Sequence, residues 1–217
     1  MAGDLIDSTE MYLRTVLELE EEGIPPIRAR LAERLGLSAP SVSEGVSRLE
    51  SEGLVELGED RTISLTSEGR ALGTRVLRKH RLVERLLVDV LDVEHEHVHE
   101  EACRWEHVIS DRVEEKLASF LGHPTTSPYG NPIPGAEETD YEPLTLADAG
   151  EGEVRVERIS EQLQGDHDVM HQLDEAGIQA GETIEVSRDG DAVTAKGRGE
   201  ATLALDDAKL VYVSKTG

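Results

Sequence analysis

The densest cluster of candidate metal ligands in this chain is His95, His97, His99, Cys103, Glu106 and His107, all within thirteen residues. At about 100° per helical residue and with Cys103 as origin, His99 lies at roughly −40°, Glu106 at roughly −60° and His107 at roughly +40°. A helix through this segment gathers four of the donors on one stripe. A thiolate, a carboxylate and an imidazole on consecutive turns make a mixed sulfur, oxygen and nitrogen set. That set differs from the cysteine-rich tetrahedron of structural zinc and suits Fe2+, Co2+ or Ni2+ at higher coordination number. His80 and Glu84 form a second pair, four residues apart and side by side on the preceding helical pattern. If the two helices pack antiparallel, the pair meets His99 and makes a second site. For one such pair alone, surface charge beside a buried cysteine is the plainer reading; two adjoining sets on facing helices favour metal. His95, His97, His123 and His171 are given no role.

Catalysis finds little support. The chain has no Ser, His and Asp order around a nucleophile elbow, no glycine-rich phosphate loop and no His-Glu-x-x-His motif. A bound metal with open positions could hydrolyse a substrate, but nothing nominates a general base beyond the ligands themselves. The expectation is a protein that is not an enzyme.

The elements that must position these donors follow from apolar spacing. Met11, Leu13, Val16, Leu17 and Leu19 predict a helix over 8–21, with Ser8 or Thr9 as cap. Gly23-Ile24-Pro25-Pro26 breaks it, and a short helix over 27–35 ends at Gly36. Ser38-Ala39-Pro40 caps a third helix with Val42, Val46 and Leu49 on one face and Ser41, Ser43, Glu44, Ser47 and Arg48 on the other. Two β-type runs, 54–57 and 62–65, flank Gly58-Glu59-Asp60-Arg61 as a wing. Two helices joined by a short glycine turn, then a hairpin, predict a winged helix-turn-helix whose third helix offers small polar side chains to a major groove.

A long helix is predicted over 67–90 and another over about 94–121. Residues 122–152 hold five of the eight prolines (124, 128, 132, 134 and 143) and read as an irregular strap and linker. Beyond them, Val154–Ile159, a short helix near 168–176, a hairpin around Asp189-Gly190 and Leu210–Val213 predict a small β module. The fold class expected is α+β, mainly α, divided as 1–72 (DNA-binding), 73–135 (helical), 136–152 (linker) and 153–217 (β module).

The chain has 217 residues, 46 Asp and Glu against 22 Lys and Arg, and a formal charge of −24. Such acidity ordinarily argues against nucleic acid, but it is uneven: residues 28–85 carry nine acids and eleven bases, while 86–217 carry thirty acids and ten bases. A DNA-facing surface belongs in 28–85. Only five bases are Lys and aromatics are 3%, a balance suited to the salty cytoplasm of an extreme halophile, where a Debye length near 3 Å at about 1 M salt screens self-repulsion. One cysteine excludes an internal disulfide. No apolar run approaches the roughly 18 residues of a membrane span, and the N-terminus lacks a signal peptide's basic start and apolar core, so a cytoplasmic protein is expected.

Five blocks, Asp7–Arg14, Arg28–Arg34, Arg78–Leu82, Glu101–His107 and Ser127–Gly135, resemble the diphtheria-toxin-repressor (DtxR) family of iron-dependent regulators. The Cys103-Arg-Trp-Glu-His107 block is the most specific, and the likeness covers about 1–135, weakening beyond 150. It implies a winged-helix domain, a helical dimerisation domain with two metal sites and an SH3-like (FeoA-like) C-terminal domain. Position by position, Met11, Cys103, Glu106 and His107 would form the primary, activating site, and His80, Glu84 and His99 the ancillary one. Arg81, Ser127 and Asn131 would hold an anion beside the latter. The family completes the ancillary site with an acid and an amide three residues apart; Gly165-Asp-His-Asp168 does not reproduce that pair, and Asp166 and Asp168 are taken as substitutes.

The resemblance implies a homodimer repressing iron genes from a pseudo-palindromic operator when Fe2+ binds, with Mn2+, Co2+, Ni2+ or Zn2+ as possible substitutes. Met11 with Cys103 matches the iron regulators, whereas carboxylates mark the manganese ones; soft sulfur also favours Fe2+. The third helix matches at Ser38, Pro40 and Ser41 and departs at Glu44, which can accept from cytosine. Arg28, Arg30, Arg48 and Arg61 are the expected phosphate contacts. The rivals are a manganese-responsive regulator of the same family and a metal-buffering protein without DNA binding.

Overall fold

The computed structural model describes residues 8–136, 144–190 and 192–216; Asp7 of the first matching block and 137–143 of the linker lie outside them. The chain divides into two compact units, Met1–His80 with Arg104–Ile109, and Arg81–Cys103 with Ser110–Gly217.

The first unit holds α1 (Ser8–Glu21), α2 (Arg28–Leu35), α3 (Ala39–Ser51), the hairpin β1 (Val55–Leu57) and β2 (Ile63–Leu65), and the beginning of α4 (Ser67–Asp89). Its core is the stripe that the spacing anticipates: Tyr12, Leu13, Val16 and Leu19 of α1 cluster with Leu31 of α2, Val42, Val46 and Leu49 of α3, and Val55 and Ile63 of the hairpin. Gly36 closes α2 at φ 62, a left-handed conformation open to glycine. Ser38 caps α3 by accepting from the Ser41 amide, with Pro40 in the first turn. The wing pairs Val55 with Leu65 and Leu57 with Ile63. Gly73 lets α4 lie close against Leu13 and Leu17 of α1, where a Cβ would press on the Leu13 carbonyl.

The second unit contains the rest of α4, α5 (His95–Trp105) as far as Cys103, α6 (Asp111–Phe120), the proline strap and the C-terminal module. The module comprises β3 (Leu144–Thr145), β4 (Gly152–Ile159), α7 (Glu161–Gln164), α8 (His167–Ala176), β5 (Thr183–Asp189), β6 (Ala192–Lys196), β7 (Glu200–Ala204), α9 (Leu205–Ala208) and β8 (Val211–Lys215). The strands form one antiparallel sheet in the order β3-β8-β4-β5-β6-β7. Alternate residues Val154, Val156, Ile184, Val186, Val193, Ala195, Ala201 and Leu203 point into its core. The strap is pinned at Tyr129, whose carbonyl accepts from the Ile159 amide at 2.9 Å and whose hydroxyl donates to the His95 carbonyl at 2.7 Å.

One expectation fails. The single helix predicted over about 94–121 is two, α5 and α6, separated by a turn at 106–108. Ser110 is extended (φ −74, ψ 154) ahead of Asp111 and Glu114 in the first turn of α6, a helix-start signal embedded in an otherwise continuous apolar pattern. Glu106 and His107 therefore sit on a turn, and the one-helix arithmetic that gathered them with Cys103 does not apply.

Candidate functional site

Within the first unit, α1 draws the two turn residues together. Glu106 is buried, and its Oε2 accepts from Arg14 Nη1 at 2.6 Å and lies 2.6 Å from His80 Nδ1. Arg14 also donates through Nε to Glu18 at 2.6 Å, and all four side chains are buried. One turn earlier, Glu10 Oε2 lies 2.6 Å from His107 Nδ1, which leaves His107 Nε2 facing Glu106 Oε1 at 3.2 Å. Burial pushes the Glu106 carboxyl up, but the Arg14 guanidinium, the His80 hydrogen bond and the His80 and His107 charges outweigh it and hold the group below the ordinary carboxylate range. Met11 stands between Glu10 and Arg14 on the same helix, half-buried, with its carbonyl accepting from Thr15.

The other side of α1 meets α3. Arg48 donates to Ser8 Oγ at 2.9 Å, Tyr12 donates to the Ser41 carbonyl at 3.4 Å, and a Cβ at Gly45 would collide with the Tyr12 ring. The outward residues Ser38, Pro40, Ser41, Glu44 and Arg48 are exposed, as a groove-facing helix requires. Arg30 is exposed and paired with Glu33. Arg28 is half-buried. Arg61 is exposed at the wing tip with φ 68, unusual for a side-chain-bearing residue.

Within the second unit, His99 Nδ1 lies 3.8 Å from the buried Glu84, and Cys103 Sγ lies 3.5 Å from His99 Nε2. Arg81, Ser127 and Asn131 are all buried, and each is engaged by protein. Arg81 Nε donates to Glu161 Oε1 at 2.8 Å and its Nη1 donates to the Pro132 carbonyl. Ser127 Oγ accepts from the Tyr129 amide, and Asn131 donates to the Ile159 carbonyl at 2.9 Å. A carboxylate thus meets Arg81 where the resemblance implies an anion.

Asp166 and Asp168 do not stand with this group. Both are exposed, and Asp166 caps α8 by accepting from the Val169 amide at 3.1 Å. An acid and an amide three residues apart, Glu161 and Gln164, are both buried on α7. The Gln164 Nε2 donates to the Ile159 carbonyl at 2.8 Å, while its Oε1 is buried and finds no hydrogen-bond partner among the described residues. A buried amide oxygen without a donor is a hard ligand suited to a divalent cation. The signal was in the sequence, as Glu161-Gln-Leu-Gln164 behind the cap Ser160, but the exposed acids after Gly165 obscured it.

Three family models match in succession: the iron dependent repressor N-terminal DNA binding domain over 4–63, its metal binding and dimerisation domain over 66–135, and the diphtheria toxin repressor SH3 domain over 144–211. The iron-dependent repressor IdeR of Mycobacterium tuberculosis is 47% identical, with 98% of this chain and 99% of that one covered. The diphtheria toxin repressor of Corynebacterium diphtheriae is 46% identical over 94% and 95%. Among solved structures, a manganese-dependent transcriptional repressor in complex with manganese superposes at TM-score 0.81 with 28% identity, covering 96% of this chain and all of that one. IdeR of T. acidophilum superposes at 0.74 with 25% identity over 94% and 96%. The fold and the sequence together define a metal-dependent, DNA-binding transcriptional repressor. The chain belongs to the DtxR/IdeR family of iron-dependent repressors. Its α+β architecture is that family's: a DNA-binding domain, a helical dimerisation domain and an SH3-like sheet. Among the described residues, no helix is long and apolar enough to cross a membrane.

Proposed function

We propose that the chain is an Fe2+-activated repressor of iron-homeostasis genes, acting as a homodimer on a pseudo-palindromic operator. Met11, Cys103, Glu106 and His107 form the primary site, and His80, Glu84, His99, Glu161 and Gln164 the ancillary one. Bound iron supplies a compact positive charge that thiolate, thioether, imidazole and carboxylate share. The rest is the work of the chain's own residues. The observation that carries the reading is the double engagement of α1: Glu10 and Arg14 hold His107 and Glu106, while Ser8 and Tyr12 hold α3. A rearrangement at the acid–imidazole pair is thereby felt by the helix that faces DNA. Glu10 takes the Nδ1 side of His107 and presents Nε2 as the donor. Arg14 releases Glu106 when that carboxylate turns to another cation. The dimer population shifts only as far as metal prefers one state over the other.

Dimerisation through the helical domain is supported by exposed Val90, Leu91, Val113 and Phe120, apolar side chains on α6 and around the end of α4. Arg28, Arg30, Arg48 and Arg61 contact phosphates and Glu44 reads a cytosine. Solved neighbours that are manganese regulators favour the Mn2+ reading at the level of fold, but sulfur at Met11 and Cys103 favours iron. Anaerobic gel shifts in molar KCl with Fe2+ and Mn2+ titrated separately decide it: tight operator binding at lower free Fe2+ is expected, and binding without metal would overturn the mechanism. The charge of −24 with five lysines supports a high-salt cytoplasm as the working environment.

A further inference from the structure

Within the first unit, Glu106 lies between two imidazoles, and its two oxygens are used differently. Oε2 stands 2.6 Å from His80 Nδ1 and accepts from Arg14 Nη1 at 2.6 Å. Oε1 stands 3.2 Å from His107 Nε2 and is buried without a hydrogen-bond partner among the described residues. The hydrogen between Glu106 and His80 belongs to the imidazole, because an ionised carboxylate has none to give. Arg14 Nη1 lies 3.1 Å from the same His80 nitrogen, but a guanidinium accepts nothing and so does not compete for that hydrogen. The neutral His80 ring therefore carries its proton on Nδ1 and its lone pair on Nε2. His80, Glu106 and Arg14 are all buried, so bulk water does not replace the carboxylate as acceptor. His107 follows the same rule, with Glu10 Oε2 2.6 Å from its Nδ1.

We infer that Glu106, besides being a ligand of the primary site, is a positioning residue for the ancillary one: through Oε2 it fixes the His80 ring with Nε2 as the donor. The inference rests on the two-site reading proposed above and adds to it a residue shared by both sites. An imidazole binds metal through the nitrogen that carries no proton, and an unconstrained ring can place its proton on either. His80 and Glu84 stand one turn apart on α4, and a ring already set in tautomer and rotation needs no rearrangement before the two act on one ion. Arg14 steadies the arrangement: its Nη1 holds the oxygen that His80 uses, while its Nε donates to Glu18 at 2.6 Å. Glu106 thus serves both ions, whereas Glu161 and Gln164 serve the ancillary ion alone.

Nitrogen NMR of the full-length, metal-free protein, labelled at its eight histidines and held where the rings are neutral, reads the tautomer. The His80 signals are identified by their loss in His80→Gln. A protonated Nδ1 and a bare Nε2 are expected in the wild type, with the proton shifting toward Nε2 in Glu106→Leu. A protonated Nε2 in the wild type, or an unchanged tautomer in a folded Glu106→Leu, would overturn the inference. Co2+ affinity measured by equilibrium dialysis gives a second readout. His107→Gln breaks the primary site from the Oε1 side and sets the reference affinity of the remaining ion. Glu106→Leu/His107→Gln is expected to hold that ion about 10–100-fold more weakly, and Glu106→Gln/His107→Gln, whose amide oxygen can still accept from Nδ1, to fall between. Equal affinity in all three would also overturn it. Circular dichroism checks folding, and if the leucine variants unfold, the glutamine variants give both readouts. Operator binding that needs no metal would sink the regulatory reading and leave the His80 tautomer, read without metal, standing.

Discussion

Glu106 and Gln164 are both buried oxygen donors, one in each unit, yet they are prepared differently. Glu106 is charge-compensated by Arg14 and His80 on one oxygen, while its other oxygen, 3.2 Å from His107 Nε2, is buried without a hydrogen-bond partner among the described residues. Gln164 has its amide nitrogen tied to Ile159 and its carbonyl oxygen bare of hydrogen bonds among the described residues. On the function proposed above, the first site would work by exchange: a protein cation already compensates the carboxylate, and an incoming ion competes with it. The second would offer a buried amide oxygen with no cation to displace. Exchange would cost affinity but involve α1, which carries Arg14.

The sharpest way to break that contrast is Glu106→Gln. It is expected to abolish metal-dependent operator binding and, because Arg14 loses one of its two carboxylates while keeping Glu18, to cost about 1.5–3 kcal/mol of metal-free stability. Denaturant unfolding with and without Fe2+ measures both. Next in size, Gly45→Ala forces the Tyr12 ring off α3 and should cost about 1–3 kcal/mol, with weaker operator binding at unchanged metal affinity. Gln164→Ala should weaken only the ancillary ion, by about 10–100-fold, while the primary site titrates as before. Equal loss at both sites would show that the two are not prepared separately. Thermal unfolding should rise with KCl as the charge of −24 is screened; indifference to salt would count against a halophilic setting.

The smallest effect is a titration. His171 Nδ1 lies 3.1 Å from Glu96 Oε1, and that hydrogen bond and charge, with the charges of Glu175 and Asp174, raise the His171 value, so the pair contributes stability in full below the ordinary 6.5 and loses it as pH climbs through the raised value. An NMR titration of His171 in the metal-free protein should therefore show a midpoint above 6.5 that falls in Glu96→Gln.

The helical half of the fold was legible because Leu13, Val16, Val42, Val46 and Leu49 repeat at helical spacing, and Gly36 and Ser38 mark real ends. The break at 106–110 was not, since apolar periodicity runs through it and only Ser110 with Asp111 betrays a restart. Met11, Cys103, Glu106 and His107 could be nominated from the matching blocks, but the contacts of Glu10 and Arg14 join residues more than ninety apart, and no local pattern encodes them. Glu161 and Gln164 were overlooked for a related reason. Their significance lies in being buried, and a four-residue helix leaves no periodic trace.

The Tyr129 strap has a consequence for how the C-terminal module is fastened. Its phenol is buried, and burial together with the charges of Glu84, Asp174 and Glu96 keeps its proton in place far above the ordinary value. That rivet between the start of α5 and β4 is therefore deaf to acidity and brine alike. The exposed His171–Glu96 pair nearby responds to both, so α5 is tied to the β module by one permanent fixing and one adjustable latch.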